Sequence, residues 1–522
     1  MKLKRLIAAV MLICTLAVLA PTVFAEEKED TLAINISDTT LVTSNGYSDT
    51  RFLTDGKTTA FHTSKENCSI TLMNEAGIGS VYLLFDEVYG EYTIINAANG
   101  QGVTVGTAGF LHEYIDVNAL FGEPLTSVTL FFQRGTVKLS EIEIYTVGTM
   151  PDHVQVWQPP LEGSTDILLL STHGDDDQLF FAGLIPTYTS MEGVGVQVAY
   201  LTDHRNLTNR RTHEILNGLW ATGCTAYPVM AEFPDFRIDS LKDTYAEFKR
   251  LGYSEEQLLG YVVELLRRFK PQVVVGHDID GEYGHGMHMV YTDCLIKALD
   301  ISNDQTKYPE LAETYGLWEV PKTYLHLYSE NTIELDYDQP LDAFDGMTAF
   351  EVSQKLGYPC HVTQQNTWFT DWINGDNNEI TKATQIKRYN PAYFGLYQSL
   401  VGEDVQRNDF LENITTYYDQ YMASLPEPEP ENPGLTEEEQ LRQEQEHQEL
   451  DRIEAEQAEQ KRQEQERIEQ EFQQKEQQRL EQEKQQTKNE IVIALCALGG
   501  GILLVAIYFI VRHISIMRQL ED

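Results

Sequence analysis

Basic residues are scarce in this chain. In 522 residues, 38 Lys and Arg stand against 81 Asp and Glu, for a formal net charge of −43. A nucleic-acid backbone needs a basic face, so nucleic acid is excluded as a partner class. Cysteine is sparse too, six in all, and Cys68, Cys224, Cys294 and Cys360 stand singly outside the two terminal apolar runs. That spacing is neither a disulfide framework nor a CxxC metal site, although one unassigned disulfide stays open. No GxSxG, HExxH or P-loop occurs, which argues against serine-hydrolase, zincin and nucleotidase chemistry. What is present suffices for real cores: 42% of residues are hydrophobic and 10% aromatic, and the length implies two or three domains plus extras.

The ends carry placement signals. Residues 1–25 read as a secretory signal, with Lys2, Lys4 and Arg5, an apolar run to Ala20, and Val23-Phe24-Ala25 before a cut at Glu26. Residues 491–511 form an uncharged run long enough to cross a bilayer as one helix, followed by a tail over 512–522 with Arg512 and Arg518. The expectation is a single-pass protein of a bacterial cell surface, with its bulk outside and a cytoplasmic C-terminus. Residues 426–490 read as a Pro/Glu linker and a solvated Glu/Gln-rich helical stalk. The signal contributes +3 and the stalk −12, and the anchor and tail cancel, so −34 belongs to 26–425. The acidity is therefore a property of the folded region.

Two periodicities divide that region. Over 27–150, segments such as Ser80-Val-Tyr-Leu-Leu-Phe85 and Ser127-Val-Thr-Leu-Phe-Phe132 alternate with Gly, Asn and Asp turns, which argues a β-sandwich. Over 160–425, short apolar strands (Asp166–Ser171, Gly195–Leu201, Gln272–Gly276) alternate with amphipathic helices (Asn209–Trp220, Ser254–Phe269, Gly286–Leu299). The expected fold class is α/β, a Rossmann-like parallel sheet, preceded by the sandwich and followed by the stalk and one transmembrane helix. Chemistry in such sheets gathers at the carboxyl ends of the strands.

Two strand ends carry it here. The first runs into Thr172-His-Gly-Asp-Asp-Asp-Gln178, and the strand closing at Gly276 runs into His277-Asp-Ile-Asp-Gly-Glu-Tyr-Gly-His-Gly-Met-His288. Three acids in a row read equally as a calcium loop or a solvated turn. The imidazoles shift the balance toward a d-block metal, because calcium prefers oxygen ligands.

His173-Gly-Asp-Asp-Asp177 resembles the His-Pro-Asp-Asp-Glu signature of the PIG-L/LmbE N-acetylglucosaminyl deacetylases, and Gly281-Glu-Tyr-Gly-His-Gly-Met-His288 resembles their Gly-x-x-Gly-His-x-x-His. Arg211-Thr-His-Glu214 resembles the family's Arg-x-x-Glu. The resemblance implies His173, Asp176 and His288 as metal ligands, most naturally for Zn2+. It implies Asp175 as general base on a metal-activated water, and His285 as the group that stabilises the oxyanion or protonates the leaving amine. Arg211 and Asp235 would contact the sugar, with a plain ion pair to Glu214 as the other reading of Arg211. Gly174, Asp177 and Met287 depart from the family pattern without removing a ligand or the base. His204, His213, His277, His326 and His361 are expected to be core or surface residues, with His361-Val-Thr-Gln-Gln365 placed to close the sugar pocket.

Upstream, Leu53-Thr-Asp-Gly-Lys-Thr-Thr59 and Ser140-Glu-Ile-Glu-Ile-Tyr145 resemble discoidin or galactose-binding-like domains, which implies an accessory domain that binds sugar or is purely structural. The expectation is a membrane-anchored extracellular deacetylase of N-acetylated sugars or glycans. The alternatives are a catalytically inactive glycan-binding protein and a metal-dependent amidase on another substrate.

Overall fold

The computed structural model describes residues 31–425 apart from 203–209, 366–368 and 403–404, together with residue 512. The chain divides into two compact units, Met1–Leu425 and Pro426–Asp522, and everything below concerns the first.

The N-terminal part is two antiparallel sheets. One has the order β1 (Leu41–Ser44), β3 (Cys68–Ile78), β8 (Leu125–Phe132), β5 (Tyr92–Asn96), β6 (Gly102–Val105). The other has the order β2 (His62–Thr63), β9 (Lys138–Tyr145), β4 (Ser80–Phe85), β7 (His112–Asp116). Ile70, Leu72, Leu130 and Phe132 of the first sheet meet Val81, Leu83, Ile142 and Ile144 of the second in one apolar core. β4 is buried along its whole length. Its odd-numbered residues enter the inter-sheet core, whereas Tyr82 and Leu84 point the other way and pack with Tyr145 and Val154. A strand covered on both faces is an apolar run rather than an alternation, and that is how Ser80–Phe85 reads.

The second sheet has seven strands in the order β12 (Val229–Phe233), β11 (Val196–Thr202), β10 (Ile167–Ser171), β13 (Val273–Gly276), β14 (Lys322–His326), β16 (Tyr393–Ser399), β15 (Thr332–Glu334). From β12 to β14 the pairing is parallel; β16 is antiparallel to β14, and β15 to β16. Alternation splits β10 between two layers. Ile167 and Leu169 pack with Ile215, Leu216 and Leu219, while Leu168 and Leu170 pack with Val262, Leu266, Val290 and Leu295. The helix Glu255–Phe269 starts at a capping box between Ser254 and Gln257 and buries one apolar stripe on the second layer. β10 has β11 on one side and β13 on the other, so the strand order reverses there, and the crevice at its carboxyl end lies between β10 and β13.

The expected fold class needs correcting in two respects. The sheet is not wholly parallel, because β16 and β15 add an antiparallel edge. The transmembrane helix is also overturned as part of the fold: no helix among the described residues is long and apolar enough to cross a membrane. The longest, Gly286–Ile301, has 16 residues and reaches about 24 Å, short of a hydrocarbon core of about 30 Å. The segment 491–511 on which that expectation rested lies outside the described residues, as do the signal over 1–25, the stalk over 426–490 and His204. The four cysteines of the folded region are free thiols, with Cys68, Cys224 and Cys294 buried and Cys360 half-buried, so no disulfide joins them.

Candidate metal and active centre

Both motifs sit at the β10/β13 crevice. β10 ends at Ser171, and the turn after it delivers His173 and then Asp175, Asp176 and Asp177 at the start of the short helix Asp176–Leu179. β13 ends at Gly276, and His277 follows directly. The next turn is tight. Gly281 has φ +65°, and a Cβ there would lie 2.5 Å from the His285 carbonyl oxygen. A Cβ on Gly286 would lie 2.0 Å from Thr244 Oγ1, so the motif glycines let the chain close on itself before the helix Gly286–Ile301 begins. Tyr283 holds a left-handed conformation at φ 47°, a local strain typical of functional turns.

Three side-chain atoms converge in this crevice. His173 Nδ1 lies 3.0 Å from Asp176 Oδ2 and 3.2 Å from His288 Nε2, and His288 Nε2 lies 3.2 Å from Asp176 Oδ2. All three residues are buried or nearly so. Their neighbours fix which nitrogen carries a proton. His288 Nδ1 donates to Glu282 Oε2 at 2.6 Å, and His173 Nε2 donates to Asp235 Oδ1 at 3.2 Å. With each ring neutral, its remaining nitrogen presents a lone pair to the same point as the Asp176 oxygen. Three lone pairs at such separations repel unless positive charge lies among them.

Titration behaviour reports the same demand. Burial alone would raise the Asp176 carboxyl, yet His288 and His173 hold it well below the usual range. Burial alone would lower His288 and His173, yet the facing carboxylates, Asp176 foremost, lift both. Two imidazoles and one carboxylate form a donor set suited to Zn2+ or a similar ion. Donors about 2.0–2.1 Å from a common centre in a tetrahedron stand about 3.3–3.4 Å apart, close to the spacing found here. The residues fit the ion.

Two clusters of possible metal donors share His288: one joins it to His173 and His285, the other to Asp176 and His277. Hydrogen bonding separates ligands from supports. His277 Nε2 accepts from the Thr172 backbone N–H at 3.0 Å, and its Nδ1 donates to Glu282 Oε2 at 2.8 Å, so neither nitrogen is open. His285 Nδ1 accepts from the Met287 N–H at 3.1 Å as the N-cap of its helix, which places the proton of the neutral ring on Nε2. Burial first, then the His173 and His288 charges, push His285 down to about 2. It stands in the centre as a neutral hydrogen-bond donor.

Asp175 lies beside the triangle with Oδ1 2.8 Å from Arg211 Nη2. Burial raises its carboxyl, and the Arg211 guanidinium works against that rise. Arg211 also lies 3.5 Å from Glu214, so both readings of that residue describe part of its surroundings, and its shortest ion pair is to Asp175. Asp235, expected against the sugar, is hydrogen-bonded to His173, with 46% of its side chain exposed. Asp177 is fully buried, accepts from Gln178 Nε2 at 2.7 Å, and is pushed up by burial to about 8. His361 is buried against Gly218, and the segment it begins closes onto the helix Arg210–Ala221 through Thr363, whose N–H and hydroxyl both donate to Glu214.

Glu282 is the residue that reading the sequence passed over. It is completely buried and takes His277 Nδ1, His288 Nδ1 and His326 Nδ1 at 2.8, 2.6 and 2.6 Å. Burial alone would raise it, but His277 and the other imidazoles hold its carboxyl well below the usual range. Such a carboxylate orients a ligating imidazole and fixes its tautomer. The only hint in the sequence is its place inside Gly281–His288; its partner His326 comes from β14, 44 residues on.

Residues 168–299 match the PIG-L family, described as GlcNAc-PI de-N-acetylase. That PIG-L segment runs from β10 through most of the helix Gly286–Ile301 and contains both motifs. A Mycobacterium leprae 1D-myo-inositol 2-acetamido-2-deoxy-alpha-D-glucopyranoside deacetylase is 27% identical over 191 residues, 32% of this chain and 61% of the relative. A deacetylase of the same description from Geodermatophilus obscurus is 35% identical over 184 residues, 31% of this chain and 60% of the relative. The chain thus spans about three-fifths of the length of these curated relatives. Among solved structures, the N,N'-diacetylchitobiose deacetylase from Pyrococcus horikoshii aligns at 16% identity and a TM-score of 0.32, over 45% of this chain and 83% of that one.

Proposed function

We propose that this protein is a metal-dependent deacetylase that hydrolyses the N-acetyl group of N-acetylglucosamine-type sugars or glycans, releasing acetate and a free amine. The observation that carries the reading is the convergence of lone pairs from His173 Nδ1, Asp176 Oδ2 and His288 Nε2 on one buried point. The PIG-L match over residues 168–299 and the deacetylase descriptions of the relatives support it.

His173, Asp176 and His288 would hold the ion, and Zn2+ suits their chemistry best. When bound, such an ion supplies Lewis acidity, favouring ionisation of a water and polarising an amide carbonyl. Asp175 accepts the proton of the attacking water, held in place by Arg211 at 2.8 Å. His285, whose Nε2 bears the proton, donates to the oxygen on which charge develops. The proton gathered by Asp175 is then available to the departing amine as the C–N bond breaks. Asp235 orients His173, and 46% of its side chain is exposed where a sugar hydroxyl would approach.

The sandwich serves in this reading as a galactose-binding-like accessory domain. The basic, apolar and small-residue plan of 1–25 supports export of the protein across a membrane. Acetate release from N-acetylglucosamine oligomers, measured on the purified protein with and without chelator, tests the function. Release that stops on chelation and returns with Zn2+ is expected. No release from any N-acetyl sugar contradicts the reading in favour of a glycan-binding protein. Recovery of the protein only from the cytoplasm contradicts the export.

A further inference from the structure

A second cavity, of about 530 Å3, lies between the sandwich and the helix Arg210–Ala221. Tyr82 and Leu84 of β4, His112 of β7 and Glu143 of β9 form one wall, and Arg210, His213, Glu214 and Asn217 of the helix Arg210–Ala221 form the other. The helix residues are spaced by three and four, so a single helix face lines the cavity. The volume lies within the range of small-molecule sites.

The polar groups of this cavity have a definite sense. Trp157 Nε1, which can only donate, bonds Gln155 Oε1 at 2.9 Å and so fixes that oxygen as an acceptor. His112 Nδ1 lies 2.6 Å from the same oxygen and must therefore carry its proton. His112 Nε2 is then a lone pair, and it takes the proton on His213 Nδ1 at 2.6 Å. The relay ends at His213 Nε2, a buried acceptor with no hydrogen-bond partner among the described residues. Burial keeps both imidazoles neutral, driving His112 well down and His213 to about 4. Gln155 Nε2 donates to Asn217 Oδ1 at 2.7 Å, so the Asn217 NH2 is the donor that residue can offer. Glu143 adds a carboxylate and Arg210 a guanidinium, while Phe61 stacks on His213 with centroids 5.3 Å apart and supplies an aromatic wall.

We propose that this cavity is a second binding site, for a sugar ring. The ligand must give a hydrogen bond to Glu143, take hydrogen bonds from Asn217 and Arg210, and lay a C–H face on Phe61. Vicinal hydroxyls on a saturated ring meet all these demands without bringing charge. Binding here does not require catalysis, so the proposal stands independently of the deacetylase reading.

The experiment is calorimetric titration of the full chain, held in chelator to prevent turnover, with the tetramer of N-acetylglucosamine. The expected result is binding that weakens about 5- to 10-fold in Phe61→Ala and again in Asn217→Ala, from the loss of one contact each. It should persist in Asp235→Ala, whose change lies at the other crevice. Acetate release from the monosaccharide should be unchanged in Phe61→Ala, which separates failure of this site from failure of the active centre. Absence of tetramer binding, or binding abolished by Asp235→Ala and untouched by the Phe61→Ala/Asn217→Ala pair with its melting temperature preserved, overturns the proposal.

Discussion

The sandwich and the α/β region both bury acids, and they treat them in opposite ways. In the sandwich, burial pushes Glu113 and Glu141 up to about 7. In the α/β crevice, Asp176 and Glu282 are buried at least as deeply, yet surrounding imidazoles hold both well below the usual range. Desolvation acts on all four; only the second pair has charge partners that outweigh it. The contrast recurs within one motif, since Asp177, beside Asp176, faces Gln178 rather than an imidazole and is pushed up to about 8. Burial of an acid therefore marks nothing by itself, whereas burial among convergent imidazoles marks a centre built for positive charge.

The largest expected effect comes from removing charge at that centre. Asp176→Asn should lower acetate release by roughly 1,000-fold or more, because a neutral amide no longer balances a cation there. Activity within tenfold of the parent would erase the distinction between Asp176 and the sandwich acids. Glu282→Gln should reduce metal affinity or activity by about 10- to 100-fold, the usual effect of losing a carboxylate behind a ligating imidazole. A metal-binding titration unaffected by that change would reduce Glu282 to a packing residue.

On the sandwich side the readout is stability. Glu113 keeps its proton in the folded chain up to about 7, whereas an unfolded Glu releases it near 4.3. Its stabilising contribution is thus fully present below that unfolded value and is lost as pH rises through about 7. Glu113→Gln should leave stability nearly unchanged at pH 4 and raise it by roughly 2 kcal/mol at pH 8, read from paired denaturation curves. An equal effect at both values would show that Glu113 does not titrate with folding. The smallest effect concerns the charge of −34 over residues 26–425. Turnover of strongly anionic glycans should be a few-fold weaker than of neutral ones at low ionic strength, with salt closing the gap. Salt-independent rates on both would remove surface charge from the account.

What could be read in the sequence follows from how far apart the determinants lie. His173, Asp175 and Asp176 belong to one turn, and His285 and His288 to the start of one helix, so short motifs at strand ends place them. Strands such as Ser80–Phe85 and Gln272–Gly276 are apolar runs and were legible to within a residue or two. β14 was not, because Lys322 and His326 bracket it. Lys322 is buried only because its ammonium donates to the Phe410 and Glu412 carbonyls, nearly 90 residues on. The bond from His326 to Glu282, the Arg211–Asp175 pair and the His112–His213 contact between sandwich and helix likewise join distant segments. No local pattern announces such pairs. The antiparallel edge formed by β16 and β15 is of the same kind, since it falls beyond the PIG-L segment where the motifs end.

The most direct test of the central claim is to measure bound metal and acetate release together, in the parent protein and in His288→Ala. About one divalent ion per chain is expected in the parent, with loss of that ion in the variant and acetate release that disappears with it and with chelation. Acetate release that survives both chelation and His288→Ala would contradict that claim.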